Sequence, residues 1–379
     1  MTSAFYFPTK LVITNDSKAE LLAALENTAP GEVFIVSDAG VQKAGILEPF
    51  LSALRGGGLQ PLVYAETPAN PNVPDVLKAM ETARGRRVSH VVAVGGGSVM
   101  DTAKAIGLLL ADPELDYEEV QWRRRSITKG SLPVIGIPTT AGTGSEVTHV
   151  AVIGDSKGFK MGVLHPSLFL KTAILDGSLT LSLPPNLTAA TGMDALIHSI
   201  EAFLSKKSNE ASDIFALNAI RTITRWLPLA FKDGSSLEAR NKMILAAAWA
   251  GIAFDQSSLG LVHALAGPLC GTYHLHHGLG VAALLPAVMD FNAPAIPPDR
   301  WDSLRAALGL PDQTSPSELG NWARGFLKAL DMPARLSESG LQEEDIPVIA
   351  ENASRMAMIG FNIRPASLED CRGILEAGR

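Results

Sequence analysis

Cysteine is almost missing from this chain of 379 residues; the two present are Cys270 and Cys371. A disulfide framework is thereby excluded, and a reducing compartment is expected. Basic excess is also missing, since the formal net charge is -7. That excludes nucleic acid as a partner, because phosphate binding needs a basic face. The one basic run, Arg123-Arg124-Arg125, follows Glu118 and Glu119 and reads as a solvated loop. The start, MTSAFYFPTK, lacks the basic-then-apolar layout of a secretion signal. The longest apolar stretches, such as 243–254, are about a dozen residues, whereas spanning a membrane takes roughly 20. They read as buried helices, so no membrane is expected and a cytoplasmic protein is. Internal repeats and low-complexity segments are absent too. What is present is ordinary globular composition, 46% hydrophobic and 19% charged. The length predicts two domains.

The first half alternates short apolar runs with helical stretches. The runs 33–37 (VFIVS), 61–64, 88–94 and 134–137 predict strands covered on both faces. Helices are expected over 41–54, over 76–84 and after the glycines at 95–97. This order is that of a parallel sheet with crossover helices. Near residue 180 the character changes. Residues 176–185 (DGSLTLSLPP) are polar and end in proline, a plausible linker. Beyond it, 187–204, 210–226, 237–253 and 261–269 all look helical. The expected division is an α/β dinucleotide-binding domain over 1–180 and an all-helical metal-binding domain over 181–379.

Two segments at strand ends carry chemistry. In 91–107 (VVAVGGGSVMDTAKAIG) a buried strand runs into three glycines and then a helix, with Ser98 three residues before Asp101 in an N-cap arrangement. Glycines admit a ligand close to the backbone, and free N–H groups at a helix start attract an anion such as a pyrophosphate. A tight turn with no ligand has the same pattern, and the spacing is not the Gly-x-Gly-x-x-Gly fingerprint. The stretch Pro138-Thr139-Thr140-Ala141-Gly142-Thr143-Gly144-Ser145-Glu146 follows a strand in the same way. At the C-terminal end of a parallel strand it faces the crevice where such sheets bind ligands. Asp38, just after VFIVS, is placed to accept from an adenine ribose and to repel a 2′-phosphate, or simply to cap a helix.

Five of the eight histidines lie between 198 and 277: His198, His263, His274, His276 and His277. Asp194 and His198 are one helical turn apart and leave the same face. His263 sits in an apolar run and His277 opens another. Imidazoles in such surroundings need a partner or a metal. One carboxylate with three imidazoles suits Fe(II) or Zn(II). Each histidine alone is better explained by a hydrogen-bonded core role; the set as a whole is what points to a metal.

Together, GGGSVMDTAKAI, PTTAGTGSEVT, GMDALIHSIEAF and LVHALAGPLCGTYHLHHGLGVAALLP resemble the iron-containing (group III) alcohol dehydrogenases. The resemblance runs from the strand carrying Asp38 to the C-terminal NIRPAS. It implies a Rossmann-like parallel-sheet domain plus an all-helical domain, with the active site in the cleft between them. It implies Asp194, His198, His263 and His277 as ligands of Fe(II), with Zn(II) possible. For NAD it implies Gly96, Gly97 and Ser98 at the pyrophosphate, with Asp101 in the same helix start. Thr139, Thr140 and Thr148 would line the nucleotide, and Lys160 would meet its ribose side. Asn70 matches a position beside the adenine nucleotide. Leu179, Thr180 and Leu183 match a segment near the adenosine, and Asp38 the carboxylate of NAD preference. A homodimer is implied as well.

Three positions depart from the family pattern. Gly267 stands where many members carry a further histidine near the nicotinamide, His276 where many have proline, and Cys270 where glycine is common. His274 is a candidate proton carrier or a plain surface histidine, and Phe254 a pocket wall or a core residue. The expected activity is hydride transfer between a small alcohol, or its aldehyde or ketone, and NAD. Rivals are a zinc polyol dehydrogenase of the glycerol dehydrogenase kind, a maleylacetate-type or hydroxy-acid reductase, and a lyase resembling dehydroquinate synthase. A binding module without catalysis leaves the His/Asp cluster unexplained.

Overall fold

The computed structural model describes residues 4–26 and 31–379; residues 1–3, the start of the segment read for a secretion signal, lie outside them. Two compact units result, one spanning Phe7–Ser182 and the other Leu183–Arg379 together with residues 4–6. The sequence reading grouped 4–6 with the first half. Instead Phe5 stacks on Phe215 at 5.8 Å and the Tyr6 N–H donates to Gln256 Oε1 at 3.1 Å, both within the helical unit.

The α/β unit is built on strands β1 (Lys10–Ile13), β2 (Glu32–Val36), β3 (Pro61–Tyr64), β4 (Val88–Gly95), β5 (Val134–Pro138), β6 (Val150–Gly154), β7 (Lys160–Leu164) and β8 (Thr172–Leu175). Its helices are α1 (Ser17–Leu25), α2 (Ala39–Lys43), α3 (Leu47–Gly56), α4 (Val73–Thr82), α5 (Gly97–Ala111) and α6 (Tyr117–Gln121). Six strands form one sheet in the order β1-β8-β5-β4-β2-β3, parallel throughout. The continuous apolar runs follow from burial on both faces. Phe34, Val36, Val91 and Ala93 point into a core shared with α4 and α5. Their neighbours Val33, Ile35, Val92 and Val94 point into a second core with α1 and α3.

Local outcomes differ from the sequence reading at three places. The single helix expected over 41–54 is two, because Gly45 adopts φ 74° between α2 and α3; that left-handed conformation suits glycine and stops a helix. β6 and β7 form a separate antiparallel hairpin, which the apolar pattern did not announce because Val152 and Leu164 are exposed. Ser98 is not the cap of α5. The cap is Gly96, and the Ser98 hydroxyl donates to the Ala69 carbonyl at 2.6 Å.

The helical unit contains α7 (Pro185–Leu204), α8 (Glu210–Lys232), α9 (Leu237–Ser257), α10 (Leu261–Tyr273), α11 (His277–Asn292), α12 (Pro298–Leu308), α13 (Leu319–Ala329), α14 (Ile346–Ser354) and α15 (Leu368–Gly378). α7 is the centre, buried on nearly every side and packed on α8, α9 and α11. Gly192 lets α8 approach it: a Cβ there would stand 2.3 Å from a Leu227 methyl. The stretch His277–Ala295, at 19 residues, is longer and more apolar than the dozen-residue estimate allowed for, and its hydropathy alone would suit a membrane. It is 72% buried inside the unit, which accounts for its composition. α9 and α10 meet at a 105° bend, where Ser258 takes φ 67°.

Candidate active site

In the α/β unit, parallel register brings the two glycine- and threonine-rich segments side by side. Gly95 at the end of β4 pairs with Pro138 at the end of β5, and the Thr139 N–H donates to the Gly95 carbonyl at 3.0 Å. Ser37, after β2, donates through its hydroxyl to the Val94 carbonyl at 2.8 Å and through its N–H to the Tyr64 carbonyl at 2.8 Å. Thus the carboxyl ends of β3, β2, β4 and β5 line up, and Asp38, Asn70, Gly96, Gly97, Ser98, Thr139 and Thr140 all follow them. A Cβ on Gly96 would meet the Thr140 hydroxyl at 3.2 Å, and one on Gly97 would lie 2.6 Å from the Thr143 methyl. The glycines therefore exist for close packing of two loops as well as for any ligand. No side chain caps α5, a helix of 15 residues, so its leading N–H groups face the crevice with the partial positive charge of the helix start.

Several residues singled out from the sequence also make intramolecular bonds. Asp101 accepts from the Ser145 hydroxyl at 2.6 Å and the Val152 N–H at 3.0 Å, which ties the threonine-rich loop to β6. The Thr148 carbonyl and hydroxyl accept from Lys104 Nζ at 2.9 and 3.1 Å. Lys104 is only 1% exposed, reaches the Val150 carbonyl at 2.6 Å as well, and was missed from sequence. Thr180 is buried and its hydroxyl donates to the Gly177 carbonyl. Asp38 caps α2 by accepting from the Val41 N–H at 2.9 Å. Lys160 donates to Asn70 Oδ1 at 2.7 Å, which places that pair together. Leu179 packs against the α1/α3-side core. Leu183 begins the helical unit, where its carbonyl accepts from Arg240 at 3.1 Å.

Glu146, at the end of the same loop, is 3% exposed, and burial pushes its carboxyl up to about 7. Nothing in the local pattern distinguishes it from a surface glutamate.

In the helical unit, four predicted side chains converge. Asp194 and His198 come from α7, His263 from the first turn of α10, and His277 from the first residue of α11. The Nε2 atoms of His198, His263 and His277 lie 3.6, 3.6 and 3.7 Å from Asp194 Oδ1. The ligand atoms of Asp194, His263 and His277 all fall within 4.8 Å of one another. These separations are too long for hydrogen bonds. Asp194 Oδ1 and His263 Nε2 are buried and have no hydrogen-bond partner. Buried orphans of this kind are costly unless something else satisfies them. Donors held about 2.1 Å from one ion at tetrahedral angles stand roughly 3.5 Å apart, so Asp194, His263 and His277 fit a single metal ion, with His198 Nε2 beside Asp194 as the fourth candidate donor.

The four groups are electrostatically coupled. Burial opposes the charge on Asp194, but the His198, His263 and His277 rings outweigh it and hold the carboxyl well below the usual carboxylate range. Burial also works against a charged His263, and Glu201 and Asp194 on either side overcome it, pushing the ring up to about 9. Glu201 was missed from sequence. It accepts from His263 Nδ1 at 2.6 Å, and its signal was its place seven residues after Asp194, on the same face of α7.

Around the cluster, the Phe254 ring lies 4.5 Å from that of His198, half-buried against it. Gly267 is exposed one turn beyond His263, and a Cβ there would meet only the Met356 methyl, at 3.7 Å. Cys270 is a packing residue: a Cβ on Gly280 of α11 would stand 2.3 Å from its sulfur. His274 ends α10 in a left-handed conformation, φ 52°, and is exposed, as is His276.

A nucleotide-type crevice in one unit and a carboxylate–imidazole cluster in the other define a class, the two-unit metal-dependent oxidoreductases. Comparison with known proteins gives the family. The model for iron-containing alcohol dehydrogenase matches residues 8–177 and that for the family's C-terminal domain matches 188–378. The chain belongs to the iron-containing alcohol dehydrogenase family. The NAD-dependent methanol dehydrogenase of Bacillus methanolicus is 34% identical over 98% of both chains. Among solved structures, an alcohol dehydrogenase from Oenococcus oeni is 28% identical with a TM-score of 0.94, covering 100% of both chains. Sulfoacetaldehyde reductase from Bifidobacterium kashiwanohense, solved with NAD+, is 26% identical with a TM-score of 0.92, covering 100% of this chain and 98% of that one. The protein is an oxidoreductase of the alcohol dehydrogenase type.

Proposed function

We propose that the protein transfers a hydride between a small alcohol, or its aldehyde or ketone, and NAD(H), with Fe(II) held by Asp194, His198, His263 and His277. The observation that carries this reading is the placement of three imidazole Nε2 atoms at 3.6–3.7 Å around one Asp194 oxygen. Zn(II) accepts the same donors. A metal at that point supplies Lewis acidity, which makes an alcohol easier to deprotonate and a carbonyl easier to reduce.

The chain's own residues do the rest. The open N–H groups at the start of α5 and the packed Gly96-Gly97 turn receive the pyrophosphate. Asn70 and Lys160 meet the ribose side, and Thr139 and Thr140 line the nucleotide. Asp38 offers one carboxylate oxygen to a ribose hydroxyl while the other caps α2. Phe254 shields His198 from water, and the open space at Gly267 leaves room beside His263 for substrate. NAD use fits two similar proteins, a methanol dehydrogenase that is NAD-dependent and a sulfoacetaldehyde reductase solved with NAD+. Two free, buried cysteines suit the cytoplasm. The family's usual dimer is the expected assembly, which light scattering checks.

The test uses protein purified without oxygen, stripped of metal and reloaded with Fe(II) or Zn(II). Short alcohols, diols and hydroxy acids are then screened with NAD and NADP by nucleotide absorbance. Metal-dependent NADH formation from a small alcohol is expected. Equal turnover by the stripped protein would sink the reading.

A further inference from the structure

One buried carboxylate stands next to the proposed metal site with no role yet assigned. Glu201 is 3% exposed on α7 and faces the start of α10. Its Oε1 accepts from the Val262 N–H at 2.6 Å. Its Oε2 accepts from the Gly260 N–H at 3.1 Å and from His263 Nδ1 at 2.6 Å. All three donors belong to the first turn of α10, which has no side-chain cap of its own. Another early donor, the Leu261 N–H, goes to Asn362 Oδ1 at 3.3 Å. The turn that follows the 105° bend is therefore held from outside, by two distant residues.

We propose that Glu201 is the positioning residue of the metal site, fixing both the first turn of α10 and the tautomer of His263. This rests on the reading of Asp194 and the three histidines as metal ligands. A carboxylate can only accept, so in the neutral ring, the form that can bind a metal, the proton of His263 sits on Nδ1. The lone pair is then on Nε2, the atom that faces Asp194 Oδ1 at 3.6 Å. A neutral imidazole binds a metal only through its unprotonated nitrogen, and the bond made by the other nitrogen decides which one that is.

A plain helix cap needs only the two backbone bonds, and an amide of the same shape shows why this one is more. If the glutamine oxygen takes the place of Oε2, its NH2 group meets the Val262 N–H. If the oxygen takes the place of Oε1, the NH2 group meets the Gly260 N–H and His263 Nδ1. That second arrangement favours the tautomer with the proton on Nε2, which cannot bind a cation. Neither orientation satisfies all three donors; an ionised carboxylate does.

The experiment measures Zn(II) affinity of the full chain by competition with a coloured chelator, for four proteins. Glu201→Gln is expected to bind zinc roughly ten- to a hundredfold more weakly. Asn362→Ala, which loosens the same turn without touching the imidazole, is expected to stay close to wild type. A Glu201→Gln affinity no weaker than that of Asn362→Ala overturns the proposal and leaves the metal reading standing. His263→Ala separates the two, since zinc held there at full affinity means the metal reading itself fails. Should Glu201→Gln not fold, 15N-histidine spectra of zinc-loaded wild type decide, with the His263 signals identified by their loss in His263→Ala. A proton on Nδ1 of His263 supports the proposal, and an unprotonated Nδ1 overturns it.

Discussion

In the α/β unit the candidate site is made of backbone: the ends of β2, β4 and β5 and the uncapped start of α5, each contributed by a short continuous segment. In the helical unit it is made of side chains, from α7, α10 and α11, which only packing brings together. The two designs fail differently. A backbone site tolerates changes that keep the turn and suffers from added bulk. A side-chain site suffers from the loss of a single donor, because the remaining donors keep their burial cost.

The sharpest break of the comparison is His263→Ala. It should remove metal binding and lower hydride transfer by at least about a thousandfold, several kcal/mol of barrier, while NAD binding, measured by fluorescence titration, is retained. Loss of NAD binding to the same degree would mean that the two sites are not built independently.

The next effect lies on stability. Glu146 has a folded-state pKa of about 7 against an ordinary 4.5, chiefly because it is buried. Its stability contribution is present below pH 4.5 and is lost as pH rises through about 7. Glu146→Gln removes a charge that wild type must bury at alkaline pH. The variant should match wild type near pH 4 and become more stable at pH 8, by on the order of 3 kcal/mol. Denaturant melts at the two pH values check this; a gap that does not widen with pH contradicts it.

Legibility from sequence divides along the same line as the two designs. The valine- and isoleucine-rich runs of β2 and β4 are readable because both sheet faces are covered, so the pattern is continuous rather than alternating. The Gly95-Gly96-Gly97 turn is readable because backbone chemistry is local. Partners distant in sequence were not readable. Ser98 looked like a cap, but its hydroxyl goes to Ala69, 29 residues away. The bonds of Asp101 to Ser145 and Val152, 44 and 51 residues away, were equally hidden. In the helical unit, Asp194 and His198 announced themselves by spacing, whereas the convergence of His263 and His277 rested on resemblance. Glu201 lies on the same helical face as those two, but its meaning depends on a partner 62 residues away. The break at Gly45 escaped because the surrounding apolar spacing remained helical on both sides.

A smaller effect tests the claim that added bulk is what harms the backbone site. Gly97→Ala places a methyl about 2.6 Å from the Thr143 methyl, so the threonine-rich loop must move. NAD affinity should fall about tenfold, ~1.4 kcal/mol, with zinc affinity unchanged. An undiminished NAD affinity would mean that the two loops are not rigidly packed against each other.

The smallest effect concerns a charged side chain in the backbone design. Asp38 does two things that serine can separate: it caps α2 through the Val41 N–H and it puts a negative charge at the end of β2. Serine is about as good a cap as aspartate, so Asp38→Ser keeps α2 and deletes the charge. If the charge repels a 2′-phosphate, the NADP-to-NAD ratio of kcat/KM rises about fivefold, ~1 kcal/mol, which is what one partly exposed charge pair contributes. Salt should shrink that difference, since screening acts on the repulsion and leaves the cap alone. A ratio that stays put in low salt would make Asp38 a helix cap and nothing more, and would move the choice of nucleotide to Asn70, Lys160 or the loop after β5.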